Sequence, residues 1–181
     1  MGLNAASAGR LACTQLEPIG VVVAVSAFNH PFNLIVHQAC PAVAVGCPVI
    51  VKPADVTPLS CVALADILYE AGLPKEWCQV VLPSDLALAS RLVSDERVAF
   101  FSFIGSSKVG WMLRSKLAPG ARCALEHGGV APLIVAADAD LDDALPRICK
   151  GGFYHAGQVC VSVQRVYVHA SIVEEVASRL A

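Results

Sequence analysis

Runs of β-branched and small apolar residues alternate along the chain with longer stretches of helical period. Ile19 to Ala27 is a continuous apolar run and reads as a strand buried on both faces. Asn33 to Gly46 follows as a helix, bent near Pro41, and Pro48 to Lys52 is a second buried strand. Thr57-Pro58 opens the next helix, with Thr57 as N-cap and Pro58 at the first helical position; Gly72 closes it and Pro74 lies beyond. The order then repeats. Gln79 to Leu82 is a strand, Asp85 to Val93 a helix and Val98 to Ile104 a strand, and Gly105-Ser106-Ser107 opens a helix towards Leu117. Two short strands at Cys123–Leu125 and Leu133–Ala136 precede a helix over Asp140–Cys149, whose acidic first turn suits the helix dipole. Gln164 to His169 is a last strand, and Ser171-Ile172-Val173-Glu174 is a capping box for a final helix.

Strands that alternate with helices predict βαβ units, a parallel sheet and right-handed crossovers. The fold class is therefore α/β: a Rossmann-like open parallel sheet with helices on both faces, plus the start of a second α/β domain. The Glu126–Ala131 turn is the natural boundary, because Gly128 and Gly129 let the chain change direction there. That gives residues 1–125 as most of one domain and 126–181 as the beginning of another.

Composition sharpens the picture. Of 181 residues 56% are hydrophobic and only 15% charged, and the mean hydropathy is +0.62. Strands covered on both faces account for this; so does membership of a larger protein whose remaining parts cover apolar surface. A net charge of −2 offers no field for nucleic acid or an anionic membrane. Leu34 to Val51 is long enough to span a bilayer but is broken by His37, Gln38, Pro41, Gly46 and Pro48. The N-terminus lacks a signal-peptide pattern, and Met1-Gly2 is followed by Ala6 where myristoylation takes Ser or Thr. Eight cysteines include no C-x-x-C pair, and the five histidines do not join them at zinc-finger spacing, so no metal site is expected. Most sit in apolar runs, as reduced thiols do in a cytoplasmic protein.

The candidate chemistry lies at strand ends, where open parallel sheets bind ligands. Asn29, in Ala27-Phe28-Asn29-His30-Pro31 after the first strand, can donate its amide to a developing oxyanion; a turn asparagine bonded to its own backbone is the plain alternative. Lys52-Pro53-Ala54-Asp55 can bind ribose hydroxyls, or Lys52 is simply solvated beside a loop proline. Gly105-Ser106 begins a helix whose N-terminus attracts pyrophosphate, although glycine and serine also begin helices for no further reason. Glu126, before Gly128-Gly129, can activate a water when partly desolvated; otherwise it is a loop glutamate. Cys160, in Gly157-Gln158-Val159-Cys160, offers a thiolate nucleophile or a structural thiol.

Taken in order, Asn29, Lys52, Phe103-to-Ser106, Glu126 and Cys160 resemble the signature motifs of the aldehyde dehydrogenase superfamily, from about Glu17 to the C-terminus. The resemblance implies NAD(P)-dependent oxidation of a small aldehyde to a carboxylic acid. Cys160 would attack the carbonyl, Asn29 and the Cys160 backbone N–H would hold the oxyanion, and Glu126 would activate the water that hydrolyses the thioester. Lys52 and Asp55 would contact the adenosine ribose and Ser106 the pyrophosphate, with Ser26, Phe28 and Gly105 completing the cofactor set. Asp55 favours NAD over NADP.

Four features depart from the family pattern. His127 replaces an apolar residue, Ile104 replaces Thr, and Pro83-Ser84-Asp85 lacks the usual glycine-rich turn. The chain also stops before the later carboxylate that grips the nicotinamide ribose, so it resembles a central fragment of a homo-oligomeric enzyme. A non-catalytic dinucleotide-binding module and a cofactor-free thiol hydrolase are the other readings.

Overall fold

The computed structural model describes residues 9–181; Met1, Gly2 and Ala6 of the N-terminal motif lie outside them. Five parallel strands form the first sheet: β1 (Val21–Val25), β2 (Val49–Lys52), β3 (Cys78–Val80), β4 (Val98–Gly105) and β5 (Arg122–His127). Their spatial order is β3-β2-β1-β4-β5, with the reversal between β1 and β4. This is the doubly wound order, and its switch point is where such sheets bind ligands. A second sheet pairs β6 (Ala131–Val135) with β7 (Val163–Val168), also in parallel.

Helices α1 (Pro31–Ala44), α2 (Leu59–Glu70), α3 (Leu86–Ser94) and α4 (Ser107–Arg114) connect the first sheet; α5 (Leu141–Phe153) and α6 (Val173–Leu180) belong with the second. The side-chain period of two divides β1 between two cores. Val22 and Ala24 pack with Ile35, Ala39 and Leu64 of α1 and α2. Val23 faces the other way, onto Val93, Phe101, Phe103 and Leu113. A third core unites Val135, Leu145, Ile148 and Val176 beneath the small sheet. Cover on both faces explains why β1 and β2 read as unbroken apolar runs.

Asp85 and Asp140 each cap the helix they begin. Asp85 accepts from Leu88 N at 2.8 Å, and Asp140 accepts from Asp142 N at 3.0 Å. Two expected caps differ. Pro58 itself takes the N-cap position of α2 in a right-handed conformation, and the buried Thr57 hydroxyl has no partner. Pro58 thus fixes the entry that a capping threonine would otherwise provide. At α6 the capping box does not form, because Ala170–Ile172 makes a 3₁₀ turn first. There His169 Nδ1, not Ser171, accepts a backbone N–H. The last helix accordingly begins at Val173, and α1 begins at Pro31, earlier than its apolar period suggests.

All eight cysteines are free thiols. No helix among the described residues is long and apolar enough to cross a membrane. No cluster of three or more metal-ligating side chains occurs among them.

Candidate active site

A cavity of about 580 Å³ opens at the carboxyl ends of β1, β4 and β5. Four chain segments form most of its wall: 25–29 at the end of β1, 103–106 at the end of β4, 126–129 at the end of β5, and 157–160 before β7. Ser26, Phe28, Asn29, Gly105, Ser106, Glu126 and Cys160 therefore share one space. Lys52 and Asp55 do not line it; Ala54, between them in sequence, does.

The cysteine arrives on an unusual turn. His155 and Ala156 are left-handed, with φ of 55° and 54°, and Gly157 follows at 73°. Glycine takes this conformation freely, whereas Ala156 costs about 1–2 kcal/mol there. The surrounding bonds hold the turn. Ser162 Oγ, buried, donates to Gly157 O at 3.0 Å, and Gln158 N donates to His155 O at 3.0 Å. A side chain at Gly157 would also press on Gly152 O at 3.3 Å, and one at Gly151 on Val163 at 3.0 Å. The close approach of α5 to β7 thus fixes where Cys160 emerges.

Asn29 is tied to the same turn: its Nδ2 donates to Gln158 O at 2.8 Å. An amide nitrogen carries two protons, so one orients the group and the other is left for the cavity. On the other wall, a Cβ at Gly129 would lie 3.5 Å from Cys160 O, and Gln164 Nε2 donates to Gly129 O at 2.9 Å. The Glu126 segment and the Cys160 segment are therefore in contact. Glu126 is exposed at the end of β5, as Cys160 is on its turn.

Polar groups at the cavity floor fit a bound cofactor. The Ser26 hydroxyl is buried and without a partner, and it lines the cavity. Ser106 caps α4 weakly, accepting from Val109 N at 3.5 Å, which leaves its O–H and the first-turn amides to meet an anion. Lys52 pairs with Asp55 at 2.5 Å; Lys52 is 13% exposed and Asp55 74%. The ammonium keeps two further donors.

Two supporting features escaped the sequence. Gln38, inside apolar α1, donates to Val25 O at 3.3 Å, to Ser102 O at 3.1 Å and to Ser102 Oγ at 3.0 Å. It clamps β1 to β4 directly beneath the switch point. A polar residue inside an apolar helical stripe was its one signal. The second is His127. Its ring lies edge-on to Phe103 and Trp111, with centroids 6.0 Å and 5.4 Å away. Gly110 of α4 leaves the room it needs: a Cβ there would lie 2.2 Å from His127 Nε2. The departure at position 127 is thus matched by a glycine 17 residues earlier.

The sequence matches the aldehyde dehydrogenase family over residues 2–181. It is 42% identical to the 3-sulfolactaldehyde dehydrogenase of Priestia aryabhattai, across 96% of this chain and 36% of that protein. The structure resembles betaine aldehyde dehydrogenase from Staphylococcus aureus in complex with NAD+, with a TM-score of 0.87 and 32% identity. That match covers 91% of this chain and 33% of the other. It also resembles the glyceraldehyde-3-phosphate dehydrogenase of Methanocaldococcus jannaschii complexed with NADP, with a TM-score of 0.85 and 38% identity, over 91% of this chain and 37% of the other. The chain spans about 36% of the length of the curated relative.

Proposed function

The chain belongs to the aldehyde dehydrogenase family, and on that basis we propose that it carries the nucleophile, oxyanion donor and base of an NAD(P)-dependent oxidation of an aldehyde to a carboxylic acid. The single observation that supports this best is that Cys160, Asn29 and Glu126, far apart in sequence, wall one cavity.

In the proposed reaction the Cys160 sulfur attacks the aldehyde carbon. The free Nδ2 proton of Asn29 and the Cys160 backbone N–H stabilise the oxygen that gains charge, an effect worth about 2.7–4 kcal/mol for one such donor. The bond from Asn29 to Gln158 O holds that amide in place, so little reorganisation is needed as charge develops. The nicotinamide cofactor, when bound, supplies the hydride acceptor. Cys160 then carries a thioester. Glu126 takes a proton from water, which attacks the acyl carbon and returns the cysteine as thiolate. Among the segments walling the cavity, Glu126 is the one carboxylate.

Ser26, Phe28, Gly105 and Ser106 would hold the cofactor inside the cavity, with Lys52 and Asp55 beyond it at the adenosine ribose. The Asp55 carboxylate beside Lys52 supports NAD, because it repels a 2′-phosphate. Assembly into oligomers and a cytoplasmic location remain part of this proposal. Replacing Cys160 by Ala tests the role of the sulfur: aldehyde-dependent reduction of NAD(P) is expected to vanish. Undiminished activity in that variant would reject the assignment.

A further inference from the structure

Two histidines meet on the segments that carry Asn29 and Cys160, outside the residues that line the cavity, and the reaction proposed above uses neither. His30 follows Asn29; His155 sits on the strained turn before Cys160. Their rings stack with centroids 4.4 Å apart and planes inclined by 27°. The Tyr154 ring is 6.4 Å from His30 and 5.9 Å from His155. The segments that bring them together are the ones joined by the Asn29–Gln158 bond. The cluster is therefore built into the same corner as the oxyanion donor.

We propose that His30 and His155 form a specificity site for an anionic group, a carboxylate or one of similar charge, on the far end of the aldehyde. The idea rests on the dehydrogenase reading and names its substrate class. Four observations carry it. Each imidazole presents at least one N–H donor in either protonation state, and Tyr154 adds an O–H. Among the described residues no hydrogen-bond acceptor takes any of these protons. Residues 26–31 and 153–162 contain no Asp or Glu to compete for them. His30 is also the N-cap residue of the 14-residue α1, which has no side-chain cap and no acidic residue in its first turn. That end of the helix favours negative charge.

The turn shows where the pair is fixed. A non-glycine residue at φ 55° and ψ 41° stores strain, and here the strained residue is the one that carries its ring onto His30. Histidine and asparagine tolerate this conformation better than most residues. His155→Asn therefore removes the ring while keeping the backbone, and His30→Phe keeps a ring at position 30 while removing its N–H donors.

The test uses the complete natural protein with two aldehydes of equal length, 4-oxobutanoate and its terminal primary amide. The parent is expected to favour the carboxylate at least tenfold in kcat/KM. Each variant should cut that preference by roughly 10-fold or more, mainly through KM for the carboxylate, as loss of a charge-assisted hydrogen bond requires. A parent without preference, or variants that lower both aldehydes by the same factor, would overturn the proposal. Should one variant fail to fold, the other and the parent's own preference still decide. A parent that oxidises neither aldehyde, with NAD or NADP, would instead count against the dehydrogenase reading.

Discussion

Gly110→Ala is the sharpest structural perturbation this site allows. In a helix interior the change gains about 0.8–1.0 kcal/mol of propensity. Against that, the new methyl would stand 2.2 Å from His127 Nε2 and 2.9 Å from both His127 Cδ2 and Phe103 Cε1. Carbon and nitrogen need roughly 3.5 Å between them, so the imidazole must move by more than an ångström. It has little room, because Trp111 and Phe103 bracket it and Phe103 is 3% exposed. Overpacking of this kind costs about 1–3 kcal/mol, and disturbed ring contacts add about 0.5–1.5 kcal/mol. The net expectation is a loss of about 1–2 kcal/mol, read as a lowered urea midpoint at constant m-value. In a His127→Ala background most of the clash disappears and the helix gain returns. The double-mutant cycle should then show a coupling of about 2–3 kcal/mol. Gly110→Ala proteins equally stable to their parents in both backgrounds would refute the idea that the glycine exists to seat His127.

Three further outcomes follow from other parts of the structure. Gln38→Ala removes the amide whose two Nε2 protons serve Val25 O, Ser102 O and Ser102 Oγ beneath the switch point and should lower stability by about 1–3 kcal/mol; an unchanged urea midpoint would contradict the clamp. Burial, with Cys78 adding to it, pushes the Cys61 thiol from an ordinary 9.0 up to about 12. Its folded value lies above its unfolded one, so its contribution is complete below pH 9 and is lost as pH rises towards 12, by about 1.4 kcal/mol per pH unit. Alkaline unfolding should be shallower in Cys61→Ala, and iodoacetamide at pH 8 should label exposed Cys13, Cys149 and Cys160 while sparing buried Cys47, Cys61 and Cys78. Asp55→Asn should raise kcat/KM for NADP relative to NAD by roughly tenfold, the effect of removing one charge worth about 1.4 kcal/mol; an unmoved ratio would place Asp55 away from the 2′ position.

The inner parallel strands β1 and β2 were readable because they are covered on both faces, and such burial writes itself as Val-Val-Val-Ala-Val or Val-Ile-Val. The starts of α3, α4 and α5 were readable for a different reason: Asp85, Ser106 and Asp140 begin helices through local bonds complete within three residues. Thr57 and Ser171 misled because a proline and a 3₁₀ turn changed the local backbone first. Motif likeness pointed to Asn29, Glu126 and Cys160, but not to what seats them. The Gln38 clamp, the fit of His127 over Gly110 and the stack of His30 on His155 join residues from separate elements. Such pairings depend on how helices are laid on the sheet, and no local pattern encodes them. The left-handed pair His155-Ala156 is likewise held by tertiary contacts, since alanine disfavours that conformation and histidine only tolerates it.

Trapping the acyl intermediate tests the account most directly. In a Glu126→Gln variant of the complete protein, an aldehyde and NAD(P) should give a stoichiometric burst of reduced nicotinamide followed by slow turnover. Intact mass should rise by the acyl group, and peptide mapping should place the adduct on Cys160. An adduct on another cysteine, or full turnover with no adduct at all, would contradict the assignment of nucleophile and base.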